Sequence, residues 1–324
     1  MKSILFLLLF IFCGACVFPW GFWAHKRINR QAVFCLPPEM IGFYKKNIDY
    51  ITDHAVDPDK RRYSNKDEAP RHYIDIDRYG KHPFDSVPKT WKDAVAKYSE
   101  DTLISNGILP WHIEKMMFRL TEAFRERNAN RVLFLSADLG HYVEDAHVPL
   151  HTTENYNGQL TNQVGIHGFW ESRLPELYGE QYDFFAGRAR YIKKPLLEAW
   201  KIIKASNAAL DSVLSFEREL NAKFPSDRKY SFEQRGQNTL KTYSEEYAAE
   251  YNRMLNGQVE RRAKAAVLAV SSFWYTAWVN AGQPSLTDFE NKEVSDSLKL
   301  ILLKEAESWK SGKQTVPNIQ GHDE

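Results

Sequence analysis

Residues 139–172, LGHYVEDAHVPLHTTENYNGQLTNQVGIHGFWES, hold the densest chemistry in the chain. They set His141 and Asp145 four residues apart on one face of a helix, with His151 just past the Pro149 that stops it. His167 and Glu171 follow, four apart on the next helix. An i, i+4 pair on a helix aims both side chains at one point. Imidazole with carboxylate is the donor set that binds zinc without redox chemistry. One such pair alone is ordinarily a surface ion pair. Two pairs bracketing a third histidine point instead to metal binding, because a solvated surface has no reason to repeat the pattern.

Around this stretch the periodicity predicts an all-α fold, a single multi-helix domain over residues 20–284. Residues 131–148 are apolar almost all round through Val132-Leu133-Phe134-Leu135 and read as the buried central helix. Residues 153–165 form a polar loop between two ligand-bearing helices, placed to shape the mouth of a site. Upstream, a helix runs from His25 until Pro37 stops it, and a second covers 39–51. Asp57-Pro58-Asp59 is turn chemistry that can present a carboxylate inward. The segment His72-Tyr73-Ile74-Asp75-Ile76-Asp77 alternates like a short extended piece, with Asp75 and Asp77 read as solvated or hydrogen-bonded rather than ligating.

Residues 91–104 read as one helix, and Pro110 opens another on which His112 is a helix-end or surface residue. Downstream, 191–216, 232–256 and 258–280 read as three long helices, with Pro195 placing the start of the first a few residues in. Residues 285–324 read as a tail helix that packs through Leu298, Ile301, Leu302 and Trp309, with a frayed end.

With 324 residues, 43% of them hydrophobic and 14% aromatic, the chain has ample material for a core. Lys2, the apolar run 4–12 and the small residues Gly14 and Ala15 read as an export signal over residues 1–19. The apolar stretch is shorter than the roughly 20 residues a spanning helix needs. The expectation is therefore an exported protein, periplasmic or extracellular, without a transmembrane segment in the mature chain. Lipoprotein anchoring at Cys16 is disfavoured because Cys13 stands where an aliphatic residue is wanted. Two of the three cysteines belong to this leader, so Cys35 remains alone as a buried apolar residue. The formal charge is +1, and loss of Lys2 leaves basic and acidic side chains balanced, so no global field favours an anionic partner.

Asp57, His72, His141 and Asp145 form one candidate donor group, and His151, His167 and Glu171 another, with Asp145 the natural bridge. Imidazole-rich sets suit zinc better than magnesium. Two ions a few ångströms apart suit phosphoester cleavage. Rival metal chemistries lack their motifs. A di-iron bundle needs two Glu-x-x-His motifs, and the chain has only Glu144-Asp145-Ala146-His147. His-Glu-x-x-His is absent, and the only adjacent His-Asp is His322-Asp323 in the tail.

The pattern His141-x-x-x-Asp145-x-x-x-Pro149-Leu150-His151 with His167-x-x-Trp170-Glu171, preceded by Asp57, His72-Tyr-Ile-Asp and Trp20-Gly-x-x-x-His25, resembles the trinuclear zinc phosphoesterases. That superfamily joins zinc-dependent bacterial phospholipases C to the single-strand-specific zinc nucleases of fungi and plants. The resemblance implies three zinc ions. Asp57, His72, His141 and Asp145 would hold one, and His151, His167 and Glu171 a second. Asp145, His25 and the amine and carbonyl of Trp20 as mature N-terminus would hold the third. Asp57 would orient or deprotonate the attacking water between the bridged pair, and Lys60 and Arg61 are candidate substrate contacts on the phosphate.

Glu171 resembles the phospholipase branch. The short Trp20-to-His25 spacing and Trp170 resemble the nuclease branch, for which Lys60, Arg61, Arg62, Lys66 and Arg71 would supply a basic rim. The expected function is an exported zinc-dependent phosphodiester hydrolase, phospholipase C-like, acting on phospholipid. A single-strand nuclease acting on nucleic acid is the alternative, and a non-catalytic zinc-binding surface protein is the second. No stable protein partner is implied.

Overall fold

The computed structural model describes residues 21–287 and 289, apart from 236 and 237. The leader, Trp20 and most of the tail helix expected at 285–324 lie outside the described residues. The chain is all-α, with one small hairpin among the described residues. Helices α1 (Phe22–Ala32), α2 (Pro38–Lys46), α3 (Ile48–Asp53) and α4 (Asp57–Arg61) come first. Then follow α5 (Pro83–Ser86), α6 (Trp91–Tyr98), α7 (Glu100–Ser105), α8 (Leu109–Arg125) and α9 (Ala129–Asp145). Short α10 (Ile166–Gly168) runs through a π-turn into α11 (Leu174–Tyr178), and long α12 (Pro195–Lys223) precedes the hairpin. Helices α13 (Glu245–Leu255) and α14 (Gln258–Asn280) follow it.

Helix α9 is the axis of the fold. The Asn128 side chain accepts from the Arg131 amide and caps its start. The helix is buried almost all round and packs against α8, α14, α1 and α3. Val132, Leu139, Tyr142 and Val143 are buried in the larger of two apolar clusters. Each such aliphatic or aromatic side chain contributes about 1.5–3 kcal/mol on burial. At the far end Arg262 of α14 donates Nε–H to the His147 carbonyl at 2.8 Å, a cation against the orphan carbonyls of α9.

The approach of α1 to α9 depends on a missing side chain. A Cβ on Gly140 would stand 1.9 Å from Asn29 Oδ1. Asn29 fills that notch and donates to the Ala137 carbonyl at 3.2 Å. One helical turn before Asn29 is His25, and beside Gly140 is His141. Their rings stack with centroids 4.1 Å apart.

Several elements differ from the sequence expectation. The helix expected at 39–51 is two helices, α2 and α3, with Asn47 as the joint. The helix expected at 91–104 breaks at Ser99, whose φ of 69° ends α6 while its hydroxyl caps α7. The first half of the helix expected at 232–256 is instead an antiparallel pair, β1 (Tyr230–Arg235) and β2 (Asn238–Tyr243). Its Tyr, Phe and Thr content suits a pleated surface. The stacking of Phe169 on Tyr243 at 3.9 Å anchors it to the second apolar cluster. His112 is buried on α8 against the Tyr142 ring and is no surface residue. Burial holds its imidazole well below its ordinary pKa. Among the described residues no helix is long and apolar enough to cross a membrane.

Candidate metal centre

The C-terminal turn of α9 delivers His141 and Asp145 to the site, and five other segments converge on them. Helix α1 brings His25, and α4 brings Asp59. His72 comes from the non-helical link before the turn Ile76–Tyr79. That link is tied to the turn Pro149–Thr152 in both directions. Ile74 N–H donates to the His151 carbonyl at 2.9 Å, and His151 Nδ1 donates to the His72 carbonyl at 2.8 Å. Gly165, with φ 96°, turns the loop into α10 so that His167 and Glu171 enter from the opposite side.

Among the described residues three groups of donor atoms lie close enough to share an ion: Asp59, His72 and His141; His151, His167 and Glu171; His25, His141 and Asp145. In the first, His72 Nδ1 lies 3.0 Å from His141 Nε2 and 2.9 Å from Asp145 Oδ2. His141 Nε2 stands 3.3 Å from Asp145 Oδ2 and 3.5 Å from Asp59 Oδ1. In the second, His167 Nε2 is 3.0 Å from His151 Nε2 and 2.7 Å from Glu171 Oε2. In the third, His25 Nε2 faces Asp145 Oδ1 at 3.7 Å, and it also stands 3.6 Å from Glu171 Oε1 of the second group. Ligand atoms around a tetrahedral zinc stand about 3.3–3.6 Å apart, given zinc–ligand bonds of about 2.0–2.2 Å. The observed separations bracket that value.

The tautomers strengthen the fit. His141 Nδ1 donates to the Ala55 carbonyl at 2.9 Å, His151 Nδ1 to the His72 carbonyl, and His25 Nδ1 contacts Glu144 at 2.7 Å. A carbonyl can only accept, so the proton of the neutral His141 and His151 rings sits on Nδ1 and the Nε2 lone pair points inward. Those lone pairs meet carboxylate oxygens and the facing nitrogens of His72 and His167. Only protons or a cation can occupy such a convergence stably. The groups holding the outer nitrogens orient the rings as outer partners do in metal sites.

The charges agree. Burial would lower the His141 pKa, but Asp145 and Asp59 override it and raise it to about 10. Burial would likewise lower His25, but Glu144 raises it well above the ordinary imidazole value. Asp145 and Glu171 resist burial and stay well below the carboxylate range through His141, His151 and His167. Asp59 is held to about 2 against its burial by His141, His25 and His72.

Asp57, expected as a ligand and as the water-orienting carboxylate, is not in any of these groups. Its oxygens contact His54 Nδ1 at 2.5 Å and Lys60 Nζ at 2.8 Å. Two residues along α4, a half-turn away, Asp59 is the carboxylate turned toward His72 and His141. Of the expected phosphate contacts, Arg61 is buried and ion-paired with Asp138 at 2.6 Å, and Lys60 is engaged by Asp57. Neither is in the donor groups. Glu68 and Glu144 were not singled out from the sequence. Glu144 holds His25. Glu68 stands behind His72, with Oε1 3.6 Å from Nε2, and accepts from Tyr142 and Arg71. Glu68 does stand four residues before His72, the spacing of the other pairs, but with Pro70 between them it did not read as one helical face. Glu144 lay beside Asp145 in the central helix, one residue off the ligand face. Asp77, as expected, is hydrogen-bonded and accepts from Thr153 at 2.7 Å.

The fold and site therefore define an all-α protein with a buried cluster of histidines and carboxylates that can hold metal ions. No family model matches the chain, and no curated protein matches it.

Proposed function

We propose that the chain is a zinc-dependent phosphodiester hydrolase of the trinuclear phosphoesterase type, phospholipase C-like in activity. One observation carries the reading: two carboxylates divide their oxygens between donor groups. Asp145 turns Oδ2 to His72 and His141 and Oδ1 to His25, while Glu171 turns Oε2 to His151 and His167 and Oε1 to His25. A carboxylate shared in this way suits ions held a few ångströms apart, and phosphodiester cleavage is the chemistry such spacing serves.

His25, Asp59, His72, His141, Asp145, His151, His167 and Glu171 are the proposed ligands, with Trp20 joining His25 on the resemblance alone. Zinc bound there supplies Lewis acidity toward a water and toward the phosphoryl oxygens. The imidazole-dominated set favours zinc over magnesium. The chain's own contribution is to hold the rings rigid. Ala55 and His72 fix His141 and His151 through their carbonyls, and Glu144 fixes His25. Asp59, at the edge of the cluster, takes the place the resemblance gave to Asp57 as ligand and acceptor for the water proton.

Export and cleavage to free Trp20 belong to the same proposal. Single-strand nuclease activity is the alternative, and Arg61, sequestered by Asp138, is lost to the basic rim it would need. The test is an assay of metal-loaded protein on phosphatidylcholine and on single-stranded nucleic acid, with and without chelator, alongside elemental analysis. Chelator-sensitive release of phosphocholine, restored by zinc, is expected. Turnover that ignores the chelator, or metal absent from protein refolded in zinc, sinks the reading.

A further inference from the structure

We infer that the outer face of loop 153–165, together with the adjoining hairpin, is a docking surface for a phospholipid bilayer. The inference rests on the phospholipase reading of the metal centre and deepens it by assigning how an aggregated substrate is engaged.

Leu160 is 66% exposed and Val164 is 65% exposed, although both belong to a loop that is otherwise tightly braced. Leu160 N–H donates to Asn155 Oδ1 at 2.8 Å, and Gly165 N–H to Asn157 Oδ1 at 2.9 Å. Asn155 Nδ2 donates to Thr161 at 3.0 Å, and Gln163 Nε2 to buried Glu217 at 2.7 Å. The loop thus holds two aliphatic side chains in water on a preformed frame. A frame of this kind lowers the ordering cost of engaging a partner. The loop starts two residues after His151 and ends two before His167, so whatever it docks on lies beside the metal centre.

The surface continues into the hairpin. Tyr243 reaches Val164 through its hydroxyl, 3.5 Å from the Val164 carbonyl. Two residues back on β2 is Lys241, paired across the strands with Phe232, which is 74% exposed. Lys241 Nζ lies 4.1 Å from the centre of the Tyr230 ring, on the same face as Phe232 by strand alternation. The opposite face turns Glu233 to Arg173, so the acid is engaged inward.

Charge selects the occupant. No charged residue occurs from Asn155 to Ile166, and Glu154 at the loop's start is paired with Arg78. Aliphatic tips, an aromatic and a lysine, with no acid among them, match the apolar boundary and phosphate layer of a bilayer. A single-stranded nucleic acid asks for rings to stack on and a line of cations. The hairpin offers one widely exposed ring and one lysine, and the loop's leucine and valine add neither a stacking series nor a line of cations.

The test is co-sedimentation of the zinc-loaded full chain with phosphatidylcholine vesicles. The wild type is compared with Leu160→Asp/Val164→Asp and, separately, with Phe232→Ser. All three side chains are exposed, so thermal midpoint and zinc content serve as controls for intact fold and site. The double substitution is expected to weaken vesicle binding at least about tenfold, since it withdraws both aliphatic side chains from the apolar phase. Wild-type protein that leaves vesicles unbound, or a double variant that binds as well as wild type, overturns the proposal. Loss of single-stranded nucleic-acid retention without loss of vesicle binding also overturns it. Sedimentation requires no turnover, so vesicle binding lost in the variants of a protein that hydrolyses no phosphodiester refutes the catalytic reading and leaves the docking surface standing.

Discussion

Nε2 of His151 and Nε2 of His167 face each other at 3.0 Å inside the protein, with Glu171 Oε2 2.7 Å from the second. The outer nitrogen of His151 is committed as donor to the His72 carbonyl, so its inner nitrogen offers a lone pair. Ring nitrogens aimed together in this way require a cation or a proton between them.

Metal removal is therefore expected to weaken the fold as well as any activity. A ligand that binds only the native state stabilises it by about 2.7 kcal/mol at a hundredfold excess over its dissociation constant. Differential scanning calorimetry of zinc-loaded and chelated protein should show a lower midpoint without metal, recovered on adding zinc. Identical midpoints would mean that the cluster binds no ion.

Asp57 and Asp59 are separable by substitution. Asp59→Asn should reduce zinc affinity by more than the roughly 10–100-fold typical of losing an outer partner. Asp57→Asn, which breaks only the contacts with His54 and Lys60, should retain full zinc content. Titration with a competing chromogenic chelator distinguishes them. The reverse order would return Asp57 to the metal.

Gly140→Ala places a methyl group against Asn29 and forces α1 away from α9. Overpacking of a filled contact costs about 1–3 kcal/mol. Because His25 rides on α1, the variant should also lose zinc affinity, and the companion change Asn29→Ala should recover part of both. A variant as stable and as tightly zinc-binding as the parent would show that the helices yield without cost.

Asp75 sets a pH dependence. Burial first, and then Asp77 and Glu154, raise its carboxyl to about 8 from an ordinary 3.8. The native state thus keeps a proton that the unfolded chain releases near pH 4. The stability this group contributes is complete below that pH and is lost progressively as the pH rises towards 8. Asp75→Asn, neutral throughout, should match wild type in urea midpoint at pH 4 and exceed it at pH 8. Equal midpoints at both would mean that Asp75 is ionised in the fold.

Much of the centre is legible in the letters because the helix period places donors locally. His141 with Asp145, and His167 with Glu171, needed only i, i+4 spacing. The all-α class followed from the same periodicity, and so did the buried course of α9. Where local preference was weak the reading failed. Residues 230–243 mix helix formers such as Glu233, Gln234 and Arg235 with Gly236, Asn238 and Tyr, Phe and Thr, so local preference is divided, and Tyr243 anchors the pair by stacking on Phe169, a contact between distant positions.

What the sequence by itself determined is therefore the fold class, the central helix and the identity of most donors, since each rests on spacing within a single element. Only the tertiary structure decided which neighbour on α4 turns inward. Asp57 and Asp59 lie on one short helix about 200° apart around its axis, and the packing of α4 selects the face that meets His72 and His141. It likewise decided that Arg61 belongs to Asp138 and that Glu144 holds His25. Those pairings join residues far apart in the chain, and their energy depends on burial, which no local pattern encodes.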